Sequence, residues 1–328
     1  SAVFVSGRDP EEAFQQSGRI ILDSMYHDVV SYTLNLEQQR VTMTIGDSIS
    51  RSATYYGDQG CILDHPDGLQ FEPVEVTSKL PHPDSMAWPM GDYHQPDLSM
   101  YPVDQLKAIK NAAFETNALT AAFLVIHKGQ IILEAYGQGG NRDMQLESWS
   151  MGKSLTATLI GRLIQQGKLS LDQQAPVAAW KQEGDPRGNI TIRDLLQMSS
   201  GLRFPAHRDP QVTVPLAQLA HMYVYCAPID VFDFAVRRPL EFKPGSTGRY
   251  RNCDPLTLGM IVRKIVESEG RNYWRWPQEE LFDAIGIRRQ VMETDPHGNF
   301  LLTGFDYGTA RNWGRLGMLY LQDGTWRG

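Results

Sequence analysis

Long hydrophobic runs and basic clusters are both missing from this sequence, and each absence argues against a class of function. The longest apolar run lies near residues 121–126, far short of the roughly 18 residues that a membrane-spanning helix needs. The net charge is −7 without any cluster of lysine and arginine, which argues against nucleic acid as the main partner. With 328 residues, 41% of them hydrophobic, the chain can bury the core of a large globular protein.

Cysteine is scarce, and metal-binding spacings are absent. Cys61, Cys226 and Cys253 lie far apart, which favours three small buried hydrophobic residues, and an odd count cannot pair completely within one chain. Neither His-Glu-x-x-His nor a glycine-rich phosphate loop occurs, so we expect no metal and no organic cofactor. The start at Ser1 indicates processing or engineering and favours a periplasmic or secreted location over the cytoplasm, without fixing the compartment.

The residue patterns divide the chain into an extension, residues 1–100, and a second unit, residues 101–328. The extension begins with strand-like alternation that predicts a β-hairpin over residues 30–45. Prolines then crowd residues 73–102, where they exclude a long helix or a central strand. We therefore expect an irregular segment that wraps around the second unit.

The second unit mixes helical and strand patterns. A helix is predicted at residues 104–117, followed by strands at 122–127 and 130–135 that join at Lys128-Gly129, a turn typical of hairpins. Residues 203–230 include Pro205, Pro210 and Pro215 and predict an irregular loop, which at this length usually lines a functional site. Further helices are predicted at residues 231–236, 256–267, 273–285 and 310–321.

The segment with the clearest chemical potential is Ser150-Met151-Gly152-Lys153, at the start of a predicted buried helix that ends at Gly167. Residues three apart share a helix face, so the Ser150 hydroxyl and the Lys153 amine can meet. Burial and the helix dipole both lower the pKa of a lysine placed there, and a neutral lysine can activate a serine nucleophile. By itself the motif is also compatible with Ser150 as a helix cap and Lys153 as a solvated side chain.

A second motif, Tyr250-Arg251-Asn252, follows a Pro-Gly turn and precedes an amphipathic helix. Taken alone, Tyr250 is more typical of a core or surface aromatic residue than of a catalytic one. Other short motifs accompany the two in a fixed order: Gly-Lys-Leu-Ser-Leu-Asp at 167–172, Thr-Ile-Arg-Asp-Leu-Leu at 191–196, Pro244-Gly245 and Thr309-Ala310-Arg311-Asn312.

This ordered set resembles the serine β-lactamase-like superfamily, which includes class C β-lactamases, DD-peptidases, esterases and 6-aminohexanoate-dimer hydrolases. The likeness covers roughly residues 105–328. It implies an α/β (α+β) fold in which helices flank an antiparallel sheet beside an all-helical region, and here the β-rich extension precedes it. The extension itself is not explained by the resemblance.

The resemblance also implies roles for individual residues. Ser150 is the nucleophile, Lys153 takes its proton, and Tyr250 shares a proton with the lysine and passes one to the leaving group. Asn252 is expected to hydrogen-bond the lysine or the amide of the substrate. The aromatic side chains of Trp149, Tyr223 and Tyr225 are further candidates for substrate binding.

One part of the superfamily pattern is not found. A third motif of the Lys-Thr-Gly type lies on a strand that supplies one N–H of the oxyanion hole, while the nucleophile supplies the other. Leu302-Thr303-Gly304 comes too early for this motif and is interpreted as a loop. We therefore expect the residues to be a fragment with reduced activity alone, completed by a C-terminal segment that could be a separate chain.

The predicted function is hydrolysis of a small amide or ester through an acyl-enzyme on Ser150. Two alternatives stay open. A penicillin-binding protein, DD-peptidase or β-lactamase would use the same three residues on cell-wall or β-lactam substrates. A catalytically idle binding protein would have inherited them without using them.

Overall fold

The computed structural model describes residues 1–18, 30–46, 49–116, 118–137, 139–206, 209 and 219–326. Within these ranges the strands are β1 Val30–Asn35, β2 Arg40–Ile45, β3 Ile49–Tyr55, β4 Cys61–Leu63, β5 Ala122–His127, β6 Gln130–Tyr136, β7 Leu146–Glu147, β8 Val291–Met292 and β9 Asp306–Gly308. The α-helices are α1 Pro10–Ala13, α2 Val103–Ala113, α3 Gly152–Gln165, α4 Ile192–Leu196, α5 Ala220–Cys226, α6 Val231–Val236, α7 Cys253–Ser268 and α8 Ala310–Leu321. None of the described helices is both long and apolar enough to cross a membrane.

Strands β1 to β4 form one antiparallel sheet in which each strand pairs with the next along the chain. The predicted hairpin over residues 30–45 is therefore confirmed, with Val30 opposite Ile45 and Asn35 opposite Arg40. Gln39 closes the turn with φ 50°, a left-handed conformation that a polar turn residue tolerates better than a branched one. The extension thus contains a folded antiparallel sheet in its described residues between Val30 and Leu63.

The predicted hairpin of β5 and β6 is also confirmed. Lys128 and Gly129 both have positive φ, 50° and 79°, which is the geometry of the tight turn that matches strand twist. Helix α8 packs closely on this hairpin at Gly314, where an added Cβ would lie 2.8 Å from Ile126 Cδ1. The glycine lets helix and strand approach each other.

Helices α3, α4, α6 and α7 build the main hydrophobic core. Helix α3 buries Leu155, Leu159 and Leu163, whose four-residue spacing places them along one face. The helix ends before Gly167, which has φ 71°, as a left-handed C-cap requires. Burial of this face fixes which side of α3 turns outward and thereby orients the first turn, where Lys153 lies.

A three-stranded antiparallel sheet, in the order β7-β9-β8, joins two distant parts of the chain. Glu147 of β7 pairs with Tyr307 of β9, and Val291 of β8 pairs with the same residue from the other side. Because β7 leads directly into residues 149–151, the pairing anchors the turn that carries Ser150. The fold is the predicted combination of helices with antiparallel sheets.

The proline-rich segment 73–102 is mostly irregular, as predicted, and it lies against helix α8. The guanidinium group of Arg315 is 2% exposed and donates to Pro89 O, Gly91 O and Asp92 Oδ1, each at 2.7 Å. Burial acts to raise the pKa of Asp92, but hydrogen bonds and charge from Arg315 and Arg311 hold it below its ordinary value. One arginine thus ties the segment to the second unit.

Three predictions about secondary structure are wrong in part. Residues 220–226 of the predicted loop 203–230 form helix α5, because this proline-free stretch buries Met222 and Tyr225 on one face. Residues 207–208 and 210–218, which include Pro210 and Pro215, lie outside the described residues.

The helix predicted at 104–117 ends at Ala113. Residues 273–285 are not one α-helix but contain π-helical and 3₁₀ turns at Gln278–Phe282 and Asp283–Ile285.

We expect Arg315→Gln to lower the free energy of unfolding by about 1–3 kcal/mol, because it removes the nearer of the two guanidinium groups beside the partly buried Asp92 carboxylate and leaves only Arg311 at 3.6 Å. Urea denaturation measures the change. The control is Arg237→Gln, which removes an ion pair to Asp233 from a side chain that is 72% exposed, and it should change the stability far less, because solvent screens exposed ion pairs. Equal effects from the two variants would contradict the role given to Arg315.

Candidate active site

Ser150 lies in a 3₁₀ turn, Trp149–Met151, between strand β7 and helix α3. Ser148 fixes the turn, since its N–H donates to Asp306 O at 2.8 Å. Trp149 has φ 42°, an unusual conformation for a bulky residue, and Ser150 follows it with an exposed side chain. The turn therefore presents the serine hydroxyl to solvent at the start of a buried helix.

The Lys153 amine lies 3.3 Å from Ser150 Oγ and donates to the carbonyl oxygen of Thr303 at 2.8 Å. Burial lowers the pKa of Lys153 to about 7, while the nearby Asp306 carboxylate acts in the opposite direction. Lys153 is therefore not the solvated side chain that the motif alone allows. A lysine that is often neutral at pH 7 and contacts a serine hydroxyl can accept its proton.

The loop Leu302-Thr303-Gly304 is irregular, as predicted, yet it contributes directly to the site. Leu302 O accepts from the Thr156 hydroxyl at 2.7 Å, and Thr303 O accepts from Lys153. When neutral, the amine can donate to Thr303 and keep its lone pair for Ser150. Sequence reasoning missed this contact because a backbone carbonyl has no residue signature.

The ring of Tyr250 lies beside the same amine, with its centroid 5.0 Å from Lys153 Nζ. Tyr250 is 53% exposed, so the residue lies on the solvent-facing side of the site. A cation over the face of an aromatic ring is stabilised by the ring quadrupole. The structure thus brings Ser150, Lys153 and Tyr250 together, although they come from separate parts of the chain.

Asn252 is also close to the site but fully buried. Its amide nitrogen donates to His221 O at 2.9 Å and to the Tyr225 hydroxyl at 3.3 Å. The expected hydrogen bond from Asn252 to Lys153 is not among the contacts that the structure describes. Asn252 instead holds helix α5 against the first turn of helix α7.

The three aromatic candidates for substrate binding separate into two groups. Trp149 and Tyr225 pack edge to face with centroids 5.9 Å apart, and Phe305 contacts both rings at 5.4 and 4.9 Å. The Tyr225 hydroxyl donates to Thr303 Oγ1 at 2.6 Å. Tyr223 is two residues away on the same helix and so points to another side, where it packs on Phe234. Phe305 is an aromatic residue of the site that sequence reasoning did not single out.

Asp306 is fully buried beneath the Ser150 turn. Burial raises its pKa to about 8, and the charge of Glu293 adds to the rise, whereas the Ser148 hydrogen bond and Lys153 lower it. Its carboxylate packs so tightly on the Cα of Gly152 that an added Cβ would overlap Oδ2. No pattern in the sequence marks this aspartate, because only the pairing of β9 with β7 brings it here.

The described residues contain no group of three or more histidine, cysteine, aspartate or glutamate side chains that could hold a metal ion. The hydrogen bonds of Lys153, Tyr225 and Asn252 described above join amine, hydroxyl, amide and carbonyl groups. This arrangement is suited to proton transfer and nucleophilic attack.

The family model described as Beta-lactamase matches residues 105–319. A protein of Escherichia coli strain K12, provisionally named a D-alanyl-D-alanine carboxypeptidase, is 28% identical over 204 residues, which cover 56% of this chain and 44% of that protein. A protein of Escherichia coli O157:H7 with the same provisional name is 31% identical over 119 residues, covering 36% and 24%. The chain thus spans less than half the length of either relative.

Solved structures share the fold. A Bacillus anthracis protein, provisionally named a 6-aminohexanoate-dimer hydrolase, aligns with a TM-score of 0.54 and 23% identity, covering 81% of this chain and 66% of that one. A protein of Bacteroides dorei DSM 17855, provisionally named a beta-lactamase, aligns with a TM-score of 0.51 and 21% identity, covering 69% and 65%. At these identities the likeness concerns the fold alone.

We expect Gly152→Ala to destabilise the protein by about 1–3 kcal/mol, because the new methyl group would overlap the buried Asp306 carboxylate. Thermal or urea unfolding measures the loss. Gly161→Ala on the same helix is the matched control, since nothing lies within 4 Å of a Cβ added there. That variant should be neutral or gain about 0.5–1 kcal/mol from reduced backbone entropy. A neutral Gly152→Ala would show that Asp306 is not packed as described.

Proposed function

The chain belongs to the beta-lactamase family, and from this premise we propose that it is a serine hydrolase that cleaves an amide or ester bond through an acyl-enzyme on Ser150. The observation that supports this most directly is the 3.3 Å contact between Lys153 Nζ and Ser150 Oγ, made by a lysine whose pKa burial lowers to about 7. A poor nucleophile is thereby placed next to a base that is matched to neutral pH.

In the first step, Ser150 Oγ attacks the carbonyl carbon of the substrate while Lys153 takes the hydroxyl proton. The lysine is held in place for this step because its amine donates a hydrogen bond to Thr303 O at 2.8 Å. Attack creates an oxyanion, for which the backbone N–H of Ser150 is one proposed donor. A second donor is expected from a strand after the second motif, and loss of one donor typically costs on the order of 10²–10³ in rate.

In the second step, the tetrahedral intermediate collapses and the leaving group departs with a proton. Tyr250 is the proposed donor, since its ring lies 5.0 Å from Lys153 Nζ and the lysine can return a proton to it. Water then attacks the acyl-enzyme, its proton passes to the Tyr250–Lys153 pair, and Ser150 is regenerated as a hydroxyl. The sum of the steps is hydrolysis without any external oxidant or reductant.

A small ester or amide is the proposed substrate. Trp149, Tyr225 and Phe305 form an aromatic wall next to the Ser150 turn, and such a wall favours an apolar acyl group. Tyr223 packs on Phe234 and is not part of this wall. Completion of the site by a C-terminal segment stays a prediction.

A second candidate function is acylation by a D-alanyl peptide or a β-lactam. It is favoured by the provisional names of the two Escherichia coli relatives, which are 28% and 31% identical over the matched segments. The same three side chains would serve this reaction, and the two functions differ in which acyl group fits beside Trp149 and Tyr225.

Labelling the full protein with a fluorophosphonate tests the nucleophile. We expect stoichiometric labelling of the wild type and none of Ser150→Ala, which retains the fold because Ser150 is exposed. A fluorescent penicillin and 4-nitrophenyl acetate, used in parallel, separate the candidates. A stable penicillin adduct without ester turnover favours the second candidate, and equal labelling of both proteins removes Ser150 from the mechanism.

We also expect the labelling rate to depend on pH. Only the neutral form of Lys153 can accept a proton, so the rate should rise about tenfold per pH unit below about pH 7 and level off above it. Lys153→Arg should label about 10²–10⁴ times more slowly across this range, since a guanidinium group stays protonated. A wild-type rate that is flat between pH 5 and 9 would contradict the role of Lys153.

A further inference from the structure

A cavity of about 340 Å³ lies between the extension and the Ser150 turn. Three parts of the chain line it: the N-terminal segment up to Gly18, one face of the sheet of β1 to β3, and the site residues Trp149, Phe305 and Tyr307. Sites for small molecules in proteins commonly have volumes of about 300–1,000 Å³. The cavity can therefore hold part of a small substrate.

The sheet presents its apolar face to this cavity. Tyr32 lies opposite Met43, and Leu34 lies opposite Val41, and directly opposite residues of an antiparallel pair share a face. These four side chains line the cavity and are only partly buried, so the packing of the protein leaves part of their apolar surface uncovered. The other face carries hydroxyl groups, with cross-strand pairs hydrogen-bonded at 2.7 and 2.9 Å.

The N-terminal segment closes one side of the cavity and ties the extension to the site. The ring of Phe14 packs on that of Tyr32 with centroids 4.9 Å apart. The buried Ser6 hydroxyl donates to Gln145 O at 2.6 Å, and Gln145 directly precedes β7. Because β7 leads into the Ser150 turn, this hydrogen bond fixes the cavity relative to the nucleophile.

The cavity and the candidate site share two aromatic rings. Trp149 and Phe305 both line the cavity, and their rings pack edge to face with centroids 5.4 Å apart. Trp149 directly precedes Ser150, so the Cα atoms of the two residues are about 3.8 Å apart. An acyl group bonded to Ser150 Oγ therefore begins one residue away from the wall of the cavity.

The lining indicates which part of a substrate enters the cavity. Among the described lining residues, charged side chains come from Arg51 and Glu147, and the others are apolar or neutral. Arg51 is exposed, so water solvates its charge. Tyr250, the proposed proton donor to the leaving group, is not among these residues. The cavity thus suits an uncharged acyl group better than the leaving group or an ionic substituent.

We propose that this cavity is the acyl-binding pocket of the enzyme, and that the extension makes the enzyme selective for esters or amides with an extended aliphatic acyl chain. The proposal rests on the function proposed for Ser150 and names its class of substrate. The second unit carries the reacting groups, and the extension selects the acyl chain. Each methylene group that the cavity buries contributes about 0.8 kcal/mol, which corresponds to about a fourfold gain in kcat/KM.

A series of 4-nitrophenyl esters, from acetate through butyrate and hexanoate to octanoate, tests the proposal because only the acyl chain changes. We expect kcat/KM to rise on the order of tenfold with each added pair of methylene groups until the cavity is filled. Leu34→Trp places a larger side chain in the cavity and should lower the octanoate-to-acetate ratio of kcat/KM by about tenfold or more. A ratio of this kind does not depend on the fraction of the protein that is folded.

The matched control is Leu36→Trp, the same substitution two residues along the chain, where the side chain is 70% exposed and outside the cavity lining. It should keep the wild-type ratio. Met43→Ala is a second variant, which enlarges the cavity and should move the preferred ester towards a longer chain. A chain-length preference that is the same in the wild type, Leu34→Trp and Met43→Ala overturns the proposal.

Binding to Ser150→Ala separates this proposal from the proposed function, because binding needs no reaction. Calorimetry with N-methylacetamide and N-methyloctanamide compares the affinities for a short and a long acyl chain. We expect the octanamide to bind more tightly by about tenfold or more, and the added Leu34→Trp substitution to remove most of this difference. If the wild type hydrolyses none of the esters, the proposed function fails, and the calorimetry still tests the cavity. Equal affinities of Ser150→Ala for the two amides overturn the proposal.

Discussion

The candidate site depends on the burial of one group, the amine of Lys153. Burial lowers the pKa of Lys153 to about 7, and an exposed lysine at the same position would stay protonated and unable to act as a base. The fold produces this burial from two sides. Helix α3 packs its apolar face against the core. On the other side, the loop Leu302-Thr303-Gly304 lies against the amine and supplies the Thr303 carbonyl. The reactive chemistry of Ser150 thus depends on packing that does not involve Ser150 itself.

The site is assembled where two distant segments pair. Strand β7 runs into the Ser150 turn, and β9 lies beside it through the pair Glu147 and Tyr307. This pairing places Thr303 and Asp306 under Lys153, so the sheet acts as the base of the site. Tyr250 and Asn252 are added from the residues just before α7, and Tyr225 from α5. The position of each group is therefore fixed by an element with its own buried face.

The extension and the proline-rich segment have a structural part in this assembly. The segment 73–102 is fixed by Arg315, whose guanidinium bonds Pro89 O, Gly91 O and Asp92. Helix α8, which carries Arg315, follows β9 by a single residue, Thr309. The segment 73–102 therefore contacts the helix that directly follows the base of the site, although the segment lies about 200 residues earlier in the sequence.

Local sequence determined the elements whose signals are short-range. The hairpin turn at Lys128-Gly129, the end of helix α3 at Gly167 and the three-residue spacing of Ser150 and Lys153 follow from backbone preference and helix periodicity. The order of the motifs determined the family. Only the tertiary structure decided that Thr303 O and Asp306 face Lys153, that Asn252 bonds His221 and Tyr225, and that Tyr223 turns away. These contacts depend on long-range strand pairing and on burial. A backbone carbonyl can belong to any residue, and the burial of an amine depends on segments far from it in the sequence. Neither can therefore be recognised from the local sequence.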